Sequence, residues 1–153
     1  MRIALYQPDQ AGNVGTILRL GACLGVGVEL IEPCGFPFSD RGLKRAGMDY
    51  LELAAPVRHA DWERFVGAVA GRIVLFTTRG GTALPAARFE PSDVLLFGSE
   101  SAGVPDAVHA CADIRVRIPL TGRARSLNIA VAAGIGLGEA LRQTGGWPRD
   151  DGA

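Results

Sequence analysis

The sequence predicts an α/β fold, a mostly parallel sheet sandwiched by helices, built as one domain. Short apolar runs alternate with longer amphipathic stretches, the pattern of parallel strands joined by helices. Glycine, proline and asparagine punctuate the joints between them. At 153 residues, 48% hydrophobic and 21% charged, the chain has single-domain size and enough apolar material to bury a core, which excludes a disordered chain. No internal repeat or linker divides residues 1–153, and the stretch after about residue 146 reads as a polar tail.

The first strand is expected at Ile3, Ala4, Leu5 and Tyr6, ended by Pro8. Asn13 suits the N-cap of a helix running from Val14 to about Leu24, with Ile17, Leu18, Gly21, Ala22 and Gly25 at helical spacing. Residues 28–31 form a second strand, ended by Pro33, and residues 39–45 a short basic helix. Residues 61–69 are another helix, with Trp62, Phe65, Val66 and Val69 on one apolar face. Strands follow at 73–76 and 94–97, and Pro105 suits the first turn of a short helix through Cys111. The fifth strand is 114–118. Ser126 or Asn128 then starts a long helix to about Arg142, stopped by Gly145 and Gly146. Within it Ala130, Gly134 and Gly138 make a smooth stripe at i, i+4 and i+8. Each interior glycine costs about 1 kcal/mol relative to alanine, so close backbone approach should offset it, either against the sheet or at a dimer seam.

Composition narrows the function classes. Lys plus Arg and Asp plus Glu both count 16, so a wholly basic nucleic-acid coat is excluded but a locally positive face is not. Lys44 is the only lysine, and arginine favours planar, bidentate recognition of phosphate. Cys23, Cys34 and Cys111 form no CxxC pair and sit among apolar neighbours, reading as reduced, buried thiols of a cytoplasmic protein. With only His59 and His109 available, no metal site is expected. The N-terminal apolar run is too short for a signal peptide, and no stretch approaches the roughly 20 apolar residues that cross a membrane.

Ligands of open parallel sheets bind beyond the carboxyl ends of the strands. Three loops qualify: 77–81, 98–103 and 119–126, all rich in glycine, serine or threonine, which let backbone groups approach a flat polar ligand. Other sites fail on spacing. Neither Ser99 nor Ser101 sits in a G-x-S-x-G elbow, and Lys44 follows no phosphate-binding glycine loop. A dinucleotide site is a weak competitor: Gly12 and Gly15 open a helix and Glu32 follows at ribose-binding distance, but the pattern is G-x-x-G.

Three motifs sharpen this. Residues 13–19 read N-x-G-x-x-x-R, residues 97–105 read F-G-x-E-x-x-G-x-P, and Ile118-Pro119 is followed by Arg125-Ser126-Leu127-Asn128. In that order they resemble the three motifs of the SPOUT superfamily of S-adenosylmethionine-dependent RNA methyltransferases. With Ile31-Glu32-Pro33 and residues 45–50, the likeness runs from Ile3 to about Trp147 and is closest to the minimal TrmL type, which methylates the 2′-hydroxyl of cytidine or uridine 34 of tRNA.

The resemblance implies a C-terminal trefoil knot, an exception to the rule against threaded chains. It implies a donor, S-adenosylmethionine, held by main-chain groups of the three loops, with contacts on Phe76, Gly98, Ile118, Ser126 and Leu127. It implies a homodimer in which the first motif reaches the partner's donor pocket, and tRNA as the substrate. Catalytic positions fall on Asn13, Arg19, Ser126 and Asn128. A guanidinium stays protonated in proteins, so Arg19 is read as clamping a phosphate and orienting the hydroxyl rather than as a base. Asn13 reads either as a helix cap or as a contact to RNA or the catalytic loop, and Glu100 as fixing the second loop by accepting backbone N–H bonds. The family's serine two residues after the asparagine is Ala130 here. Arg41, Lys44, Arg45, Arg79, Arg123 and Arg125 are the candidate RNA-phosphate contacts. Two alternatives remain: methylation of another tRNA or rRNA 2′-hydroxyl, and a non-catalytic RNA- or nucleotide-binding protein.

Overall fold

The computed structural model describes residues 1–37, 55–122 and 124–149. The expected basic helix at 39–45, with Arg41, Lys44 and Arg45, lies outside the described residues, as does Arg123.

Seven strands form one sheet in the order β3-β2-β1-β6-β4-β7-β5, and every described pairing is parallel. They are β1 (Arg2–Tyr6), β2 (Gly27–Ile31), β3 (Val57–His59), β4 (Ile73–Phe76), β5 (Thr82–Ala83), β6 (Val94–Phe97) and β7 (Ile114–Arg117). The central strands are apolar along their length because both faces are covered. Ile3 and Leu5 join one buried cluster with α1 (Ala11–Leu24) and α4 (Ile129–Thr144), while Ala4 and Tyr6 join a second with α2 (Trp62–Ala68) and α3 (Asp106–Cys111). The result is the expected layered α/β architecture.

Two strands were not expected. β3 is an edge strand with Val57 and Arg58 exposed, and β5 is a two-residue edge piece, so neither carries the apolar run that marks a buried strand. Helix starts also differ. α1 begins at Ala11 after Gln10, not at Asn13, whose side chain is engaged elsewhere. α4 is capped by Asn128, which accepts N–H bonds from Ala130 (2.9 Å) and Val131 (3.3 Å), so Ser126 is not its cap. α2 uses Asp61 as cap, accepting from Arg64 N–H at 2.7 Å, and leaves Val66 exposed rather than on the buried face.

The tight glycine contact of α4 is made by Gly136. A Cβ there would lie 2.5 Å from the Phe76 ring, which is stacked between Phe97 and Phe89. Gly134 faces open space beside Ile135, so the predicted stripe is not what packs on the sheet.

Cysteine exposure also departs from expectation: all three thiols are free, but Cys23 and Cys111 are exposed. Cys34 is half-buried, and burial, with help from the Glu32 carboxylate, pushes its thiol up to about 11. The thiolate is the nucleophile, so at pH 8 maleimide is expected to label Cys111 quickly and Cys34 far more slowly, by roughly a hundredfold or more. Peptide mass spectrometry over a labelling time course checks this, and equal rates would contradict it. No helix among the described residues is long and apolar enough to cross a membrane.

Candidate functional site

β1, β6, β4 and β7 lie side by side and end nearly level, with Leu5 opposite Phe97, Phe97 opposite Phe76, and Phe76 opposite Val116. The loops that follow therefore emerge together along one rim. They enclose a cleft of about 630 Å³, within the usual size range for small-molecule sites. Its floor is apolar, formed by Leu75, Phe76, Phe97, Val116 and Ile118, and its walls come from residues 77–79, 98–103 and 125–128, with Leu120.

Each loop has its own fastening. In the second, Ser99 N–H donates to Gly103 O at 3.0 Å and Gly103 N–H returns to Ser99 O at 2.9 Å. Gly103 turns the chain with φ +68°. Gly98 sits so close to it that an added Cβ would lie 2.5 Å from the Gly103 carbonyl carbon. In the first loop, Thr77 N–H donates to Val116 O at 2.9 Å, and the Thr77 hydroxyl accepts Arg79 N–H at 3.0 Å. The third runs into the Asn128 cap of α4.

A polar chain ties the three motif segments together. Asn13 Nδ2 donates to Glu100 Oε1 at 2.8 Å, and Asn128 Nδ2 donates to Asn13 Oδ1 at 3.0 Å. Asp9 N–H donates to the other Glu100 oxygen, Oε2, at 2.8 Å. Glu100 thus fixes the second loop by accepting a backbone N–H bond, as expected from sequence, and the donor is Asp9, in the segment leading into α1.

Of the residues singled out from sequence, Asn13, Phe76, Arg79, Gly98, Arg125, Ser126, Leu127 and Asn128 line the cleft together with Ile118. Arg19 does not: it is exposed on α1, two turns beyond Asn13, and is absent from the cleft wall of its own chain. Arg79 is engaged, donating to Asp106 Oδ1 at 2.8 Å across an exposed ion pair. Sequence reasoning missed Gln10, in the cleft wall, and Asp9, which fastens the second loop. The one available signal was the placement of a carboxylate directly after Pro8 and ahead of the first motif. Among the described residues no cluster of three or more His, Cys, Asp or Glu side chains could hold a metal ion.

Comparison with known proteins gives consistent likenesses. Residues 1–138 match the SpoU rRNA Methylase family. A relative from Ancylobacter novellus, named tRNA (cytidine(34)-2′-O)-methyltransferase, is 53% identical over 152 residues, covering 97% of this chain and 96% of that protein. A solved structure concerned with 2-OH methylation of C/U34 on tRNA superposes with a TM-score of 0.87 at 42% identity, covering 93% of this chain and 94% of that one. An AdoMet-bound rRNA methyltransferase from Sinorhizobium meliloti superposes with a TM-score of 0.81 at 35% identity, over 92% of this chain and 55% of the other.

Proposed function

The chain belongs to the SpoU rRNA methylase family, and we propose that it transfers a methyl group from S-adenosylmethionine to the ribose 2′-hydroxyl of nucleotide 34 of tRNA. The observation that carries this reading is the convergence of all three motif segments on one cleft, in a chain that matches a methyltransferase of that named specificity end to end.

The cleft fits the donor by its chemistry. An apolar floor suits a nucleoside base, and small-residue loops offer main-chain donors and acceptors around it. Phe76, Gly98, Ile118, Ser126 and Leu127 would hold the donor. When bound, it supplies a methyl carbon already made electrophilic by the sulfonium.

The protein's task is alignment and proton removal. Arg19 clamps an RNA phosphate and presents the hydroxyl, while the proton passes to a phosphate oxygen or to water, since guanidinium does not deprotonate. Asn13 and Asn128, bonded to each other at the cleft wall, hold the approach of α1 to the pocket, and Ser126 stands beside them.

The same reading includes a homodimer, in which α1 brings Arg19 to the partner's cleft. The position of Arg19 outside its own cleft supports it, and so does the open face of α4, where Val131 is 50% exposed and Ile135 41%. It includes a trefoil knot, supported by Ile118 and residues 125–128 lining the same cleft and by α4 packing on α1 and β6. Residues 1–153 are read as one domain working in the cytoplasm. Arg41, Lys44, Arg45, Arg79, Arg123 and Arg125 are proposed as its phosphate contacts to tRNA.

Labelled methyl transfer onto bulk unmodified tRNA, followed by nucleoside mapping, tests the function. The expected product is a 2′-O-methylated nucleotide 34. Label at another nucleotide would move the substrate assignment, and donor binding without transfer would leave a non-catalytic RNA-binding protein.

A further inference from the structure

Asp9 sits between α1 and loop 98–103, the donor loop of the proposed reaction, without lining the cleft. Its N–H donates to Glu100 Oε2, and its carboxylate Oδ2 accepts Ser101 N–H, both at 2.8 Å. The two bonds run in opposite directions between the same two segments, 91 and 92 residues apart in sequence and brought together by the β1–β6 pairing. From the other side Asp9 is fixed by the loop after β2: Gly35 N–H donates to Pro8 O at 2.9 Å, and a Cβ on Gly35 would lie 3.0 Å from the Asp9 Cα. Asp9 is therefore a held point, not a swinging side chain.

We propose that Asp9 is a positioning residue whose two-way clasp on Glu100 and Ser101 sets the donor loop against the start of α1, so that the pocket and the helix carrying Asn13 and Arg19 keep one spacing. This inference rests on the methyl-transfer reading. Glu100 continues the clasp through Asn13 to Asn128, so a single polar chain runs from Asp9 to the cap of α4. Hydrogen bonding from Ser101, by side chain first and backbone amide next, holds the Asp9 carboxyl below its usual range, so the charged, accepting form is the one present near neutral pH. The loop keeps its own internal bonds between Ser99 and Gly103, so loss of the clasp releases the loop as a unit and does not unfold it.

Asp9→Ala is expected to lower kcat about tenfold or more, as small misplacements of reacting groups do. S-adenosylmethionine affinity by calorimetry should change less than about threefold, and melting temperature by only a few degrees. Asp9→Asn, which keeps an acceptor for the Ser101 amide, should recover most of kcat. Amide hydrogen exchange gives a readout independent of turnover. In the wild-type protein the Asp9 and Ser101 amides should be protected, and in Asp9→Ala the Ser101 amide should exchange faster. Unprotected amides in the wild type would overturn the proposal even if the variants did not fold. So would kcat in Asp9→Ala within twofold of wild type, or a loss of donor affinity in step with stability. Failure of the wild-type protein to methylate tRNA would be a failure of the functional reading, visible in a separate arm.

Discussion

Replacing Arg19 with alanine is expected to cut turnover by at least about 100-fold while leaving S-adenosylmethionine affinity within about twofold. The separation follows from position. Arg19 is exposed on α1, about 9 Å along the helix from Asn13, and lines no part of its own chain's cleft. On the proposed mechanism, removing it leaves the donor pocket intact and deletes the group that presents the 2′-hydroxyl. Arg19→Lys keeps the charge but loses the planar fork, so it should fall between the two. Mixed dimers test where the side chain works. In the proposed homodimer, pairing Arg19→Ala subunits with subunits whose donor loop is spoiled at Gly98 leaves one intact pocket facing one intact Arg19. Assayed at a donor concentration too low to fill the spoiled pocket, random mixing of the two variants should then return about a quarter of wild-type activity. An inactive mixture would place Arg19 in its own chain's chemistry. Steady-state kinetics and calorimetry on the same preparations supply both numbers.

What the sequence disclosed, and what it did not, follows from the range of the interactions. The inner strands β1, β4 and β6 were legible because burial on both faces writes an apolar run, and β2 and β7 because apolar residues alternate with Glu29 in the one and with Arg115 and Arg117 in the other. The edges β3 and β5 were not, since an exposed edge needs no such run. The three loops were legible as small-residue segments after strands. Their convergence on one cleft depends on β6 inserting between β1 and β4, which no local pattern records. Asn13 and Asn128 illustrate the same limit. Each is a reasonable cap by local chemistry, yet only Asn128 caps, because Asn13 meets Glu100 and Asn128 across 87 and 115 residues of chain. The glycines of α4 show a related limit: spacing identifies a smooth face, but of the two uses it allowed, the close approach to the sheet is made by Gly136, which the ring stack at Phe76 selects. Asp9 escaped because a carboxylate after a proline is ordinary in a turn, and its partners lie beyond the reach of sequence.

Gly98→Ala is expected to weaken S-adenosylmethionine binding by about 10- to 100-fold, the equivalent of the roughly 1–3 kcal/mol that overpacking costs. The added methyl would lie 2.5 Å from the Gly103 carbonyl carbon and 2.7 Å from both its Cα and its oxygen. All three are backbone atoms, so no side-chain rotation relieves the clash, and the two arms of the loop must part. Parting them breaks the reciprocal Ser99–Gly103 hydrogen bonds that give the loop its shape, and with it the main-chain wall of the cleft. Gly103 provides the contrast. It has the left-handed φ of +68° but nothing within 4 Å of a Cβ. Asparagine tolerates that conformation better than most residues, so Gly103→Asn should bind the donor nearly as the wild type does. Calorimetry on the two variants separates close approach from backbone conformation as the reason for glycine in this loop. If Gly103→Asn were the more damaging change, the positive φ and not the narrow gap between the arms would be what donor binding requires.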